Sequence, residues 1–98
     1  MRNLKVREGV VLLAIKGTYL LVSDKSVRQY CRYVWEINGM AAEIWQDLAQ
    51  GRTEEEIVDR IMNEYVIEDR TVPEKDVHTF LTHLEENGYL TGEDNHEI

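Results

Sequence analysis

The spacing of apolar residues changes its period at Asn38, and that change constrains the fold more than any other feature of the chain. Before Asn38, apolar residues come in short, β-branched runs. After it they recur every three or four residues, in three stretches marked off by cap and stop residues. A chain ordered in this way folds as α+β, with a three-stranded antiparallel sheet followed by three helices.

The strand signals are specific. Val10-Val11-Leu12-Leu13-Ala14-Ile15 is apolar and predicts a strand. Lys16-Gly17-Thr18 reads as a hairpin turn, and residues 19–22 as the return strand. A polar loop begins at Ser23 and extends to Gln29. A third strand is predicted over residues 31–37. Its alternation sets Tyr33, Trp35 and Ile37 on one face and Arg32, Val34 and Glu36 on the other.

The helix signals follow in order. Asn38 suits an N-cap, because its side-chain oxygen can accept a free backbone N–H. The first helix then runs to about Gln50 with Ala41, Ile44, Trp45 and Leu48 inward, and Gly51 stops it. Thr53-x-x-Glu56 is a capping box, and the stripe behind it is Ile57, Val58, Ile61, Met62 and Tyr65. Residues 67–72 read as a polar connector. Pro73 fits the first turn of the third helix, where a missing N–H costs nothing. That helix turns Val77, Phe80, Leu81 and Leu84 inward and ends at Gly88, after which Tyr89-Leu90 folds back on the core. A polar tail follows, frayed beyond an ordered core of about residues 4–91.

At 98 residues, 43% of them apolar, the whole chain 1–98 is expected to be one globular domain. A single cysteine, Cys31, excludes an internal disulfide framework and fits a reducing cytoplasm. The start has no signal-peptide core, and the longest apolar run has six residues against the ~20 that a membrane span requires. Charge is uneven. Residues 1–51 carry seven Lys and Arg against five Asp and Glu, a net of +2; residues 52–98 carry four against fourteen, a net of −10. Duplex nucleic acid would be repelled by the helical half, so a peptide with some basic residues is the better partner.

Catalytic patterns are missing. His78 and His83 stand five apart and do not share a helix face as a metal pair would, and His96 lies in the tail. Cys31 has no histidine near it in sequence and reads as a half-buried strand residue. Glu54-Glu55-Glu56 favours the dipole of the second helix. The glycines form no phosphate loop. No metal, no cofactor and no catalytic residue is expected, and the chain reads as a non-enzyme.

One set of residues carries a resemblance. It comprises Asn38, Ile44-Trp45, Leu48, Gly51-x-Thr53-x-x-Glu56-Ile57-Val58 and Tyr65, then Asp76-Val77-x-x-Phe80-Leu81-x-x-Leu84 and Gly88-Tyr89-Leu90. In this order and spacing the chain resembles the PqqD-like family over about residues 6–90. The resemblance implies a winged helix-turn-helix domain that binds the leader segment of a ribosomally made peptide precursor. It further implies presentation of that leader to a modifying enzyme, often a radical S-adenosylmethionine maturase. The leader would add as an antiparallel strand to the third strand, here Tyr33, Val34, Trp35, Glu36 and Ile37. Its apolar side chains would enter a cleft walled by the third helix, here Asp76, Val77, Phe80, Leu81, His83 and Leu84. Gly39-Met40 departs from the family, which often has an acidic and then a small residue after the asparagine. An exposed strand edge is also able to pair with a second copy, so a homodimer is compatible with the sequence. The rival reading is a winged-helix DNA-binding regulator with the third helix in the major groove. That helix offers Lys75 and no arginine, against Glu74, Asp76, Glu85 and Glu86.

Overall fold

The computed structural model describes residues 4–92. Strands and helices segregate as the change of period requires. β1 (Leu4–Val6), β2 (Val10–Ile15), β3 (Thr18–Ser23) and β4 (Val34–Ile37) precede α1 (Gly39–Ala49), α2 (Glu54–Tyr65) and α3 (Thr71–Glu86), and β5 (Leu90–Gly92) closes the described chain. β2, β3 and β4 form an antiparallel sheet in that order, while β1 and β5 pair separately as a two-stranded ribbon.

The hairpin between β2 and β3 turns on Lys16 and Gly17 alone, with φ of 51° and 82°. Two successive positive φ values make a type I′ turn, whose twist matches that of the strands it joins. Thr18 therefore belongs to β3. The inner face of the sheet carries Val10, Leu12, Leu21, Trp35 and Ile37, and the helices cover it. Leu21 is fully buried at the centre. The outer face carries Val11, Leu13 and Ile15, which remain 53%, 41% and 51% exposed.

Helix boundaries follow their caps. Asn38 Oδ1 accepts from Ala41 N–H at 2.8 Å, and the Thr53–Glu56 capping box is complete in both directions. α1 is tied to α2 by Arg60, which bonds Asp47 at 2.6 Å and Glu64 at 2.6 Å. Asp47 is one of the few buried polar side chains, so this pair fixes the crossing of the two helices. The core gathers Ile44, Trp45 and Leu48 from α1, Ile57, Val58 and Ile61 from α2, and Val77, Leu81 and Leu84 from α3.

Several sequence expectations are corrected. The third strand spans Val34–Ile37 and not residues 31–37, because residues 31–33 are held in a bend by other bonds. Cys31 is buried outside any strand, its thiol 3.1 Å from the Ser23 hydroxyl. α3 begins at Thr71, two residues before Pro73, because the Asp69 carboxylate accepts from Thr71 N–H at 3.0 Å and starts the turn early. Tyr65 is exposed, and its hydroxyl donates to Glu43 at the rim of the helices. Thr91 and Gly92 are strand residues paired with Lys5 and Leu4. The remainder of the expected tail, with His96, lies outside the described residues.

Candidate peptide-docking edge

β4 pairs with β3 alone among the described residues. The side of β4 that stays open follows from the ladder. Ser23 N–H donates to the Tyr33 carbonyl at 2.8 Å, which marks Ser23 and Tyr33 as a hydrogen-bonded pair. Antiparallel ladders alternate, so Leu21–Trp35 and Tyr19–Ile37 are the next bonded pairs. The main-chain groups of Val34 and Glu36 then point away from β3, two N–H and two C=O available to a guest strand.

Behind this edge stands an aromatic wall. The Trp35 ring lies 6.3 Å from that of Phe80 on α3 and 5.3 Å from that of Tyr89. Tyr89 in turn meets Trp45 edge-on at 6.4 Å. Trp35 and Phe80 are each half-buried, whereas Tyr89 has no exposed surface. The pair thus offers apolar surface on rings held from behind.

The start of β4 is clamped by a polar knot. The Arg32 carbonyl accepts the Ser23 hydroxyl at 2.6 Å and the Tyr89 hydroxyl at 3.1 Å. Burial pushes the Tyr89 hydroxyl pKa up, so it stays a donor. Gly88, at φ 83°, lies so near Tyr30 that a Cβ there would come within 1.8 Å of its carbonyl oxygen. This contact joins the end of α3 to the chain entering β4, and it sets wall and edge at a fixed separation.

Phe80 of α3 stands beside Trp35, and Asp76, one turn earlier on α3, shares a cavity with Met40, just past the end of β4. There a cavity of about 80 Å³ is lined by Met40, Ile44, Ile61, Ile67, Val72, Pro73, Asp76 and Val77. Its lining is almost wholly apolar. At the other end of the edge, Arg32 lies 5.8 Å over the Trp35 ring, and Arg28 stacks 3.7 Å over Tyr33. The edge therefore runs from a basic end to an acidic one, with Asp76 on the α3 side and Glu36 on the outer face of the sheet.

Of the residues singled out by sequence, Trp35, Phe80, Asp76 and His83 keep surface on the α3 side of the edge, while the exposed Val34 and Glu36 side chains lie on the outer face of the sheet. Tyr33 is 55% exposed but precedes the strand, and its ring is occupied by Arg28. Ile37, Val77, Leu81 and Leu84 are buried core side chains that hold the wall up, and Val77 also lines the cavity beside Met40. The sequence pattern does not single out Met40, Ile67 or Val72. The available signal for Met40 was a large apolar residue in the exposed first turn of α1, where 37% of it is uncovered.

A larger concavity of about 790 Å³ opens between α2 and α3, lined by Glu54, Asp59, Arg70, Glu74 and His78 among others. Arg70 there is bonded to Asp59 and Glu74, and His78 Nδ1 lies 3.2 Å from a Glu54 carboxylate oxygen. Among the described residues no group of His, Cys, Asp and Glu gathers as metal ligands, and no helix is long and apolar enough to cross a membrane.

Comparison with known proteins places this geometry. A sequence family described as "Coenzyme PQQ synthesis protein D (PqqD)" matches residues 9–90. Among solved structures, a chain described as TbiB1 in complex with the TbiA(beta) leader peptide is 28% identical. It superposes with a TM-score of 0.74 over 93% of this chain and 99% of that one. A lasso peptide synthetase B1 complexed with the leader peptide is 25% identical, with a TM-score of 0.74 over 91% of this chain and 98% of that one. No curated protein is a significant match.

Proposed function

The chain belongs to the PqqD family, and from that premise we propose that it binds the leader segment of a ribosomally synthesised peptide precursor on the β4 edge. The observation that carries the reading is the open main chain of Val34 and Glu36 beside the Trp35–Phe80 wall. Both similar solved structures are complexes with leader peptides, which supports the same role here. We read the strand and helix order as a winged helix-turn-helix put to peptide recognition. The DNA-binding alternative gains nothing from the site, because exposed α3 positions include Glu74, Asp76 and Glu86.

Main-chain pairing supplies affinity with little demand on sequence, and side-chain pockets supply choice. A guest strand antiparallel to β4 runs from the Ile37 end to the Arg32 end. Alternate apolar side chains would rest on Trp35 and Phe80 and enter the cavity beside Met40. The charge layout favours basic residues toward the guest's N-terminal end, near Glu36 and Asp76, and acidic ones toward its C-terminal end, near Arg28 and Arg32. An interface of this size corresponds to a Kd on the order of 0.1–10 μM.

The protein's own part is to hold and not to transform. It raises the effective concentration of precursor at a modifying enzyme, for which a radical S-adenosylmethionine maturase is our candidate, in the cytoplasm. Amide hydrogen exchange tests the docking. Binding of a synthetic leader peptide should protect Val34 and Glu36 while leaving the already bonded Trp35 and Ile37 unchanged; protection confined to α2 would refute it. Mass spectrometry tests the role. Omitting the chain should slow modification of full-length precursor and leave a leaderless core peptide unaffected, whereas modification by the chain alone would show that it is an enzyme.

A further inference from the structure

The sheet has a second open edge, and nothing in leader binding uses it. β2 is the outermost strand on the side away from β4, with β3 its sole sheet partner among the described residues. It is six residues of Val, Leu, Ala and Ile, without a charge or a proline. Soluble proteins normally blunt such an edge with one of those devices. We propose that β2 pairs antiparallel with β2 of a second copy, in one register, to form a dimer with a continuous six-stranded sheet.

Hydrogen-bond parity limits the registers. Tyr19, Leu21 and Ser23 turn their main chains to β4. Thr18, Leu20 and Val22 therefore serve β2, and their partners are Ile15, Leu13 and Val11. The Gly9 carbonyl, which accepts from Asp24 N–H at 2.7 Å, continues the same odd-numbered series. That leaves the N–H and C=O groups of Leu12 and Ala14 and the C=O of Val10 open on the outer side, while the Val10 N–H donates to the Arg7 carbonyl at 3.3 Å. Directly opposed residues in an antiparallel pair share a face, so a register that keeps inner side chains inward must set even residues against even ones.

Centring the twofold axis on Leu12 meets both conditions. Leu12 then bonds Leu12 of the second copy in both directions, and the Val10 carbonyl accepts from its Ala14 N–H, so both open N–H groups of β2 are used. On the outer face, Val11 stands against Leu13 across the junction. Just beyond the strand ends, the turn bearing Glu8 comes against the hairpin bearing Lys16, once at each end, and opposite charges meet. A register centred one residue further on would lose this. It opposes Val10 to Lys16 in the turn and leaves Glu8 facing no cation.

The twofold axis stands normal to the sheet, so the helices of both copies lie on one side. The two β4 edges end up at the far ends of the sheet, free to take guests. Dimerisation therefore neither needs nor blocks leader binding, and either idea can fail without the other. β2 at six residues makes a small interface, and a dissociation constant on the order of 10–100 μM is expected.

Sedimentation velocity across micromolar to millimolar protein, without any peptide, tests the pairing. The weight-average mass should rise from 11.5 kDa toward twice that value. Ala14→Pro removes an outward N–H at an exposed position and should stay monomeric throughout, with unchanged circular dichroism. Glu8→Lys and Lys16→Glu should each raise the association midpoint roughly three- to tenfold, and the double exchange should return it to within about twofold of the original. Those charge variants do not disturb the strand, so the test survives if Ala14→Pro fails to fold. A wild-type chain monomeric at millimolar concentration would overturn the proposal, as would a double exchange as weak as the single ones. Dimerisation lost in Leu20→Lys but kept in Ala14→Pro would also overturn it, in favour of face-to-face packing of the outer sheet surfaces.

Discussion

β2 and β4 close the same three-stranded sheet, yet they differ in what governs an edge's choice of partner. β2 is long and uncharged, with apolar side chains exposed on its outer face and hairpin bonds on one side. β4 is four residues, with Arg32 just before it and Glu36 within it, and an aromatic wall stands beside it. A bare, uniform strand offers most to a copy of itself, because the same pattern read backwards fits it. A short strand beside a half-buried Trp35–Phe80 pair offers a foreign strand something a copy lacks: a place for side chains as well as main chain. An open edge alone therefore does not define a peptide site. The groove behind it does.

The firmest way to break the comparison is to unfasten β4 from its wall. Gly88→Ala adds a Cβ 1.8 Å from the Tyr30 carbonyl oxygen, at a φ that disfavours any side chain. Backbone must move, and the expected loss is upwards of ~3 kcal/mol of stability, or a fall in Tm of more than about 12 °C. Differential scanning calorimetry reads it. A loss under ~1 kcal/mol would mean that the junction of α3 and β4 yields easily and that the wall is not held in place.

The two edges should also be separable by proline. The Glu36 N–H faces the open side of β4, so Glu36→Pro removes a donor to the guest and none from the β3 ladder. Leader affinity should fall by about 2–3 kcal/mol through the lost donor and the ring's bulk at the edge, with the fold retained and self-association untouched. Ala14→Pro should do the reverse, abolishing self-association and sparing leader affinity. Isothermal titration and sedimentation on the same two variants provide the four readings. Loss of both properties in either variant would show that the edges are not independent.

How far this was legible in the sequence depends on the range of each interaction. The β2–β3 hairpin and the three helices announce themselves locally, through Lys16-Gly17, Asn38, the Thr53–Glu56 box and Gly88. β1 and β5 do not. Each is three residues long, and their pairing of Leu4 with Gly92 is purely tertiary. Residues 31–33 alternate like a strand, so the sequence pattern alone makes the third strand too long. The Ser23 and Tyr89 hydroxyls on the Arg32 carbonyl, which bend them away, come from distant positions. At the site, Trp35 and Phe80 were readable as a strand aromatic and a helix aromatic. That Val34 and Glu36 carry the open main chain was not, because parity depends on one bond, from Ser23 to Tyr33. Val77, Leu81 and Leu84 share a helix stripe with Phe80, and periodicity alone cannot separate a wall's surface from its backing.

Phe80→Ala sharpens the comparison from the side-chain end. The ring is half-buried against Trp35, so its removal opens the wall without exposing the centre of the core. Leader binding should weaken by ~1–2 kcal/mol, with part of the loss coming from slackened packing of Trp35. Self-association through β2 should not change. Fluorescence titration monitors binding, and circular dichroism confirms the fold. An unchanged Kd in a folded variant would move the guest's side chains off this wall.

The smallest expected effect concerns direction. Arg28 and Arg32 mark the beginning of β4, and Glu36 and Asp76 its end, all of them solvent-exposed. Exposed charges contribute little to affinity but they bias orientation, because a guest strand of reversed polarity meets like charges at both ends. Arg32→Glu should therefore weaken a leader with acidic residues toward its C-terminal end by less than ~1 kcal/mol, and only at low salt. A synthetic leader with its charged residues exchanged end for end should show the opposite preference, binding the Arg32→Glu variant better than the original chain. β2 provides the contrast. Its self-pairing is antiparallel by symmetry and has no orientation to choose, so Arg32→Glu should leave the dimer unmoved at every salt concentration. If both leaders respond equally to the substitution, the charges at the ends of β4 do not orient the guest, and direction is set by the Trp35–Phe80 wall and the cavity beside Met40 alone.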